Sequence, residues 1–320
     1  MRPLLIVNPR SGGGKTGQIF DQMAEPVRRA IGDFDAQRTE RPRHAVELAR
    51  EAALAGREIV VAVGGDGCIH EVVNGLMQAR AAGSTGTRLG VIGQGTGGDF
   101  RRTLGLEHRL DHYCAAIARG RSRAIDIGRF SYVGNDGRPA EAYFVNILSA
   151  GIGGLVDQHV ARMSKAAGGS IAYLAASLRG LIESRLGRLR CRITQQGETR
   201  EEEFTSRQIA ICNGRVFGGG MKVAPMAEID DGLLEVVDLG GASVVRFAAV
   251  SSGMYTGRHL RNPDVRHFRC ERIEIDLVNR DVADRFLLDV DGEPLGRLPI
   301  TVSLEPRALE VLAPEGGGLS

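Results

Sequence analysis

The carboxylates best placed for chemistry are one acid set among glycines, Gly64-Gly65-Asp66-Gly67, and an acid pair around a glycine, Asp291-Gly292-Glu293. Glycines remove side chains and let backbone N–H groups approach an anionic ligand closely. A carboxylate at such a place repels a bare phosphate, so it fits there only if a divalent cation or a hydroxyl proton lies between. The acids of the pair, two residues apart at a hairpin turn, can both face a cleft and accept the proton of a reacting hydroxyl. Each has a structural alternative: Asp66 as the N-cap of a strand-to-helix turn, and Asp291-Gly292 as an ordinary hairpin turn with solvated charges.

Two more glycine turns follow apolar runs. Asn8-Pro9-Arg10-Ser11-Gly12-Gly13-Gly14-Lys15-Thr16 ends like a P-loop, but the first glycine of that motif would fall on Pro9. Proline lacks the N–H that an anion nest needs, which leaves a basic turn opening a helix, a phosphate contact or a surface turn. Gly93-Gln94-Gly95-Thr96-Gly97-Gly98 matches G-x-G-x-x-G formally. It comes after two earlier strand–turn–helix units, and no acid ends a strand about twenty residues on. Together the turns bring Lys15, Asp66, Thr96 and Asp99 to strand ends, a concentration of hydroxyl, cation and carboxylate compatible with phosphate and metal.

The elements that must position these turns alternate. Leu4–Val7, Ile59–Val63 and Leu89–Ile92 read as strands, and 17–31, 45–55, 69–80 and 111–118 as helices. That alternation predicts a Rossmann-like parallel sheet with helices on both faces, with ligands beyond the carboxyl ends of its strands. From about Ala124 the pattern turns to strands: 124–130, a turn at Asn135-Asp136-Gly137, a returning strand 142–148, then 189–194, 207–212, 233–239, 272–278, 285–290 and 299–304. These predict an antiparallel β-sandwich, interrupted by helices at 170–186 and 243–256. The expected domains are 1–124, with 305–320 packing back on it, and 125–304.

Composition bounds the rest. The 320 residues are 42% hydrophobic and 25% charged with net charge +2, which fits a soluble two-domain protein and carries no polyanion field for nucleic acid. Five scattered cysteines without a Cys-x-x-Cys pair argue against a disulfide framework or zinc and for a reducing cytoplasm. No apolar run reaches membrane-spanning length. Residues 170–182 have amphipathic spacing and are followed by Arg185, Arg188, Arg190 and Arg192. They read as a helix packed on the sandwich, or as a membrane-surface element with arginines toward anionic headgroups.

In order along the chain, Val7-Asn8-Pro9 with Ser11-Gly12, Thr39 before the helix near His44, Gly64-Gly65-Asp66-Gly67 with Glu71 and Asn74, and Gly95-Thr96-Gly97 with Asp99-Phe100 resemble the diacylglycerol kinase catalytic-domain family. This family of lipid kinases includes bacterial diacylglycerol, sphingosine and ceramide kinases. The likeness continues through Asn146 with Gly151-Ile152-Gly153, Ala224-Pro225 with Asp230-Asp231-Gly232-Leu233, and Asp291-Gly292-Glu293-Pro294-Leu295. Two positions depart from the family: Cys68 where it has Thr, and Gly98 where it has Asn.

The resemblance implies ATP-dependent transfer of a phosphoryl group to a lipid hydroxyl on a diacylglycerol-like or sphingoid/ceramide acceptor. Asn8, Gly12, Lys15, Thr39, Gly64, Gly65, Asp66, Gly67, Cys68, Ile69, His70, Gly95, Thr96 and Asp99 would hold the nucleotide, with Asp66 on Mg²⁺. Glu293 would be the general base with Asp291 its neighbour or metal partner. A structural Mg²⁺ would lie on the Asp231 carboxylate and the carbonyls of Glu228 and Leu233. The expected setting is cytoplasmic, with peripheral contact at the inner membrane surface and a homodimer as the oligomeric prior. The alternatives are a Rossmann NAD(P)-dependent oxidoreductase and a non-catalytic nucleotide-binding regulator of the same fold.

Overall fold

The computed structural model describes residues 2–119, 121–162, 179–241 and 243–314. The chain divides into two compact units, Met1–Ile127 with Pro306–Ser320, and Gly128–Glu305.

The first unit is a parallel sheet wrapped in helices. Its elements are β1 (Leu4–Val7), α1 (Lys15–Ile31), β2 (Asp35–Arg38), α2 (His44–Leu54), β3 (Ile59–Gly64), α3 (Asp66–Ala81), β4 (Arg88–Gly93), α4 (Asp99–Thr103) and α5 (Leu110–Ala118). The strand order is β4-β3-β1-β2, with Leu4 opposite both Asp35 and Val60, and Gly64 opposite Gly93. Residues Glu310 and Val311 pair in parallel with Arg88 and Leu89 on the outer side of β4. β1, β3 and β4 carry continuous runs of buried apolar residues because helices cover both faces. β2 gave no sequence signal: Asp-Ala-Gln-Arg at the sheet edge has no buried residue to betray it.

The second unit is a sandwich. β5 (Ser122–Gly134) enters it and turns at Gly137 (φ 79) into β6 (Pro139–Phe144). There follow β7 (Ile147–Gly151), α6 (Ile152–Arg162), β8 (Gly187–Gln195), β9 (Glu198–Ser206), β10 (Gln208–Cys212), β11 (Leu234–Asp238), the helix Val244–Gly253, β12 (Arg266–Cys270), β13 (Arg272–Leu277), β14 (Leu287–Val290) and β15 (Glu293–Leu312). One sheet runs β12-β11-β10-β7-β14-β15, and β15 then pairs with β13, which continues to β8 and β9. Leu148, Ile209, Ile211, Val236 and Leu288 of the first layer pack with Leu189, Cys191, Ile193, Ile273 and Ile275 of the second. The other face of the first layer is buried too, through Ala210, Cys212 and Val237 against Ile152, Val156, Phe247 and Val250. That double burial is why every residue of β7, β10 and β11 is buried, mostly apolar, with Ser149, Gln208, Glu235 and Asp238 as the polar exceptions.

Four expectations change. The single returning strand 142–148 is two strands separated at Val145–Asn146. Residues Arg280–Arg285 form a 3-10 turn, so the strand expected at 285–290 begins only at Leu287. The strands Glu198–Ser206 and Arg266–Cys270 went unread because charged residues dominate them. Of the expected helix 170–186, residues 170–178 lie outside the described residues, and 179–183 are helical.

Candidate active site

In the first unit, three glycine turns close the carboxyl ends of β1, β3 and β4 and are tied to one another. After β1, Asn8 shapes its turn: its Oδ1 accepts the Arg10 amide at 3.0 Å, and its carbonyl accepts the Ser11 amide at 3.2 Å. Gly12, Gly13 and Gly14 then run through φ of 60, 71 and 94°, a left-handed path that side chains resist. Ser11 Oγ reaches across to accept the Gly65 amide at 3.1 Å, joining the first turn to the second.

The second turn joins the third through Asp66. Its Oδ2 accepts the Gly98 amide at 2.7 Å and its Oδ1 the Phe100 amide at 3.3 Å. Asp66 is therefore the first residue of α3, with Gly65 at the N-cap position, and not a side-chain cap for its own helix. Backbones touch where these turns meet. A Cβ on Gly95 would stand 2.6 Å from Gly65 Cα, one on Gly12 would stand 2.8 Å from the Gln94 carbonyl oxygen, and one on Gly97 would stand 2.9 Å from Asp66 Oδ2. Glycine is required there by close approach, and the result is a rim of bare backbone at the head of α3, whose dipole presents its positive end.

The predicted nucleotide residues distribute around this rim. Lys15 and Thr96 are exposed, and Gly12, Gly64, Gly65 and Gly67 form its backbone. Thr39 follows β2, its amide bonded to the Val7 carbonyl at 2.9 Å. It thus lies three strand spacings from β4, roughly 14 Å. Cys68, Ile69 and His70 are buried at 2, 2 and 6% exposure. Their side chains are therefore closed to a ligand, and the Ile69 amide is bonded to the Gly65 carbonyl at 3.1 Å. Burial, with a smaller contribution from the Glu71 charge, pushes the Cys68 thiol up to about 12, so it stays protonated. Asp99 is buried and ion-paired to Arg102 at 3.0 Å, and Arg102 also donates to the Gly97 carbonyl. Gly98 has φ 64°, a conformation that Asn tolerates better than other side-chain-bearing residues. The backbone shape expected of Asn at this position is kept although its amide is lost.

Glu71 has a role the sequence did not reveal. From α3 its two oxygens accept the amides of Arg43 (2.9 Å) and Ala45 (3.1 Å), capping α2, whose own N-cap side chain makes no capping bond. No local pattern announces a cap supplied from twenty-eight residues away.

In the second unit, Asp291 and Gly292 form the two-residue turn between β14 and β15. Their φ values of 53 and 87° are both positive, as an Asp-Gly type I′ hairpin demands, and Val290 pairs with Glu293. The Asp291 carboxylate is buried and accepts three successive amides at 3.0 Å each: Val145 on Oδ2, Asn146 and Ile147 on Oδ1. The Val145 and Asn146 amides, turned toward this carboxylate, are drawn out of the ladder, which explains the gap between β6 and β7. Asn146 extends the arrangement, donating from Nδ2 to the Val216 carbonyl at 2.8 Å. Asp289 Oδ1 accepts the Gly292 amide at 3.0 Å. Glu293 opens β15 and is half-buried.

Asp231 lies in the turn before β11. Its Oδ1 accepts the Leu233 amide at 3.0 Å, Arg269 stands 3.8 Å from Oδ2, and partial burial raises its pKa despite both. A carboxylate that burial disfavours as an anion gains from a cation, and a carboxylate with backbone carbonyls is the kind of hard-oxygen donor that Mg²⁺ takes. Among the described residues no cluster of three or more His, Cys, Asp and Glu side chains is placed to hold a metal ion.

Comparison with known proteins agrees with this architecture. Residues 2–130 match the diacylglycerol kinase catalytic domain, and residues 146–313 match the YegS C-terminal NAD kinase beta sandwich-like domain. The chain is 34% identical over 281 residues to the "Probable lipid kinase YegS-like" of Chromohalobacter salexigens, covering 86% of this chain and 82% of that one. It is 29% identical over 300 residues to a diacylglycerol kinase of Bacillus subtilis, covering 93% and 91%. The crystal structure of a diacylglycerol kinase from Bacillus anthracis shares the fold with a TM-score of 0.68 at 20% identity, covering 98% of this chain and 97% of that chain.

Proposed function

The chain belongs to the diacylglycerol kinase catalytic-domain family of lipid kinases, and from that premise we propose that it transfers the γ-phosphate of ATP to a hydroxyl of a diacylglycerol-like or sphingoid/ceramide lipid. The observation that carries this reading is the rim of bare backbone at the ends of β1, β3 and β4, where added Cβ atoms on Gly12, Gly95 and Gly97 would lie 2.6–2.9 Å from neighbouring atoms. A surface kept free of side chains at a helix head suits a polyphosphate.

Phosphoryl transfer needs phosphates held, charge neutralised and a hydroxyl aligned, with little covalent help. In this reading the amides of the first turn of α3, those of Asp66, Gly67 and Cys68, cradle the phosphates, Lys15 adds positive charge, and Thr39 and Thr96 add hydroxyl contacts. Mg²⁺ would neutralise charge on the nucleotide. Asp66 has a double duty: it holds the third turn by the Gly98 and Phe100 amides, and it sets a carboxylate where that cation is needed. Glu293 takes the acceptor's proton. Asp291, already engaged by three amides, fixes the hairpin that presents Glu293, so we assign it positioning in place of proton transfer. Asp231 with the carbonyls of Glu228 and Leu233 would hold a second Mg²⁺ that orders the turn before β11 and takes no part in the chemistry.

Incubation with γ-labelled ATP and separate diacylglycerol, ceramide and sphingosine dispersions tests the reading. Label is expected in lipid, and Glu293→Gln is expected to slow turnover by about 10²–10⁴-fold with folding unchanged. Reduction of a nicotinamide cofactor without label transfer, or ATP binding with no transfer to any lipid, would refute it.

A further inference from the structure

The second unit concentrates positive charge and exposed aliphatic side chains at one turn. Among the described residues the large apolar side chains most open to solvent are Leu54, Ile182, Val244, Val245 and Tyr255. Ile182, at 65%, directly precedes the turn Glu183-Ser184-Arg185 that ends the helical residues 179–183. Three guanidinium groups meet on the carbonyls of that turn. Arg185 Nη1 lies 3.5 Å from the Glu183 oxygen and 3.1 Å from that of Ser184. Arg285 Nη1 lies 3.4 Å from the Glu183 oxygen. Arg207 Nη1 lies 3.3 Å from the Ser184 carbonyl and 2.9 Å from its hydroxyl.

Arg207 also joins this turn to the second aliphatic pair. Its Nε donates to the Gly241 carbonyl at 2.8 Å, just before the helix that starts with Val244 and Val245, which are 37 and 79% exposed. The charge here is only partly offset. Arg207 is buried on carbonyl and hydroxyl oxygens, and burial together with the Arg185 charge lowers its pKa. Glu183 directs its carboxylate to Arg179 (2.8 Å) and His159 (3.1 Å), and exposed Asp284 lies 3.8 Å from Arg285. The β8 arginines differ, because Arg188 and Arg190 pair with Glu203 at 2.8 and 2.9 Å and Arg192 faces Glu274.

We propose that the turn Glu183-Ser184-Arg185, with Arg185 and Arg285 at its surface, buried Arg207 bracing it and Ile182, Val244 and Val245 flanking it, docks this protein on a bilayer containing anionic phospholipid. Aliphatic side chains enter the headgroup boundary, and the guanidinium groups of Arg185 and Arg285 take lipid phosphates. The complementarity selects this occupant: the aliphatic groups are few and separated by cations, a pattern suited to a charged interface and not to a dry protein contact. The proposal deepens the lipid-kinase reading by naming where the enzyme meets its lipid. Its test needs binding alone, so its failure would leave the label-transfer result standing.

The experiment is co-sedimentation of the full chain with phosphatidylcholine vesicles, with and without phosphatidylglycerol, at low and high salt. Binding is expected to require phosphatidylglycerol and to weaken with salt. Arg185→Gln with Arg285→Gln is expected to lower affinity about 25-fold, roughly fivefold for each charge at an anionic surface. Ile182→Asp with Val245→Asp, both exposed and tolerant of polarity, is expected to lower it at least as far, whereas Arg190→Gln with Arg192→Gln should leave it unchanged. Thermal midpoints check that each variant is folded, and the aspartate pair decides the matter if the glutamine pair is not. Binding that ignores phosphatidylglycerol, an aspartate pair that binds like the parent, or an equal loss in the β8 pair would overturn the proposal.

Discussion

Asp291→Asn separates positioning from chemistry in the second unit. Asparagine is nearly isosteric with aspartate and tolerates the φ of 53°, so the change isolates the carboxylate from the backbone. Its carbonyl can still accept the Asn146 and Ile147 amides, but its NH₂ group confronts the Val145 amide, which sits 3.0 Å from Oδ2 in the parent. One buried donor is then unsatisfied at about 1–3 kcal/mol, and two bonds lose charge assistance, for a loss of about 2–4 kcal/mol in all. For a unit of this size each kcal/mol moves the midpoint about 2–4 °C, so the thermal midpoint should fall by about 5–15 °C. Calorimetry gives the midpoint, and turnover is read at a temperature where the variant is folded. Turnover there is expected to drop less than for Glu293→Gln, since Asp291 acts through the hairpin. An unchanged midpoint with turnover as low as that of Glu293→Gln would refute the reasoning and make Asp291 a chemical group.

Other perturbations probe the first unit and the proton balance. Gly95→Ala would place a methyl 2.6 Å from Gly65 Cα, a clash with backbone that forces two turns apart; calorimetric titration should show nucleotide affinity falling by more than tenfold, with about 1–3 kcal/mol of stability lost. Glu71→Ala removes the remote cap of α2 and should cost about 1–2 kcal/mol in urea unfolding. Gly98→Asn suits φ 64° and displaces only the flexible Arg101 side chain, so the thermal midpoint should move by no more than about 2 °C. Burial lowers the pKa of His259, and burial with the charges of Arg101 and Arg102 lowers that of His108. The unfolded chain therefore takes up these protons first, near pH 6.5. Stability should fall from about pH 7 toward pH 5, with net proton uptake on unfolding. Midpoints that rise over that interval would contradict the burial of these rings.

Much of this protein was legible in one dimension. Runs such as Ile59–Gly64 and Leu4–Val7 declare buried parallel strands because both of their faces must be apolar, and the glycines after them declare turns because only glycine fits close backbone contact. The order of motifs was enough to suggest the kinase family. Elements whose stability comes from neighbours were not legible: β2 at a sheet edge, β9 paired with β8 and tied to it by Arg188 and Arg190 on Glu203, and the break between β6 and β7.

Residue types along the chain thus determined which chemistry is available: acids among glycines, a lysine, hydroxyls at strand ends. Tertiary structure decided what each acid does. Asp66 ties two turns, Glu71 caps a helix twenty-eight residues away, and Asp291 holds three amides that its own hairpin never touches. The reason is physical: a carboxylate goes where buried amides would otherwise lack an acceptor, and those amides are brought to it by packing between distant segments, which no local pattern records.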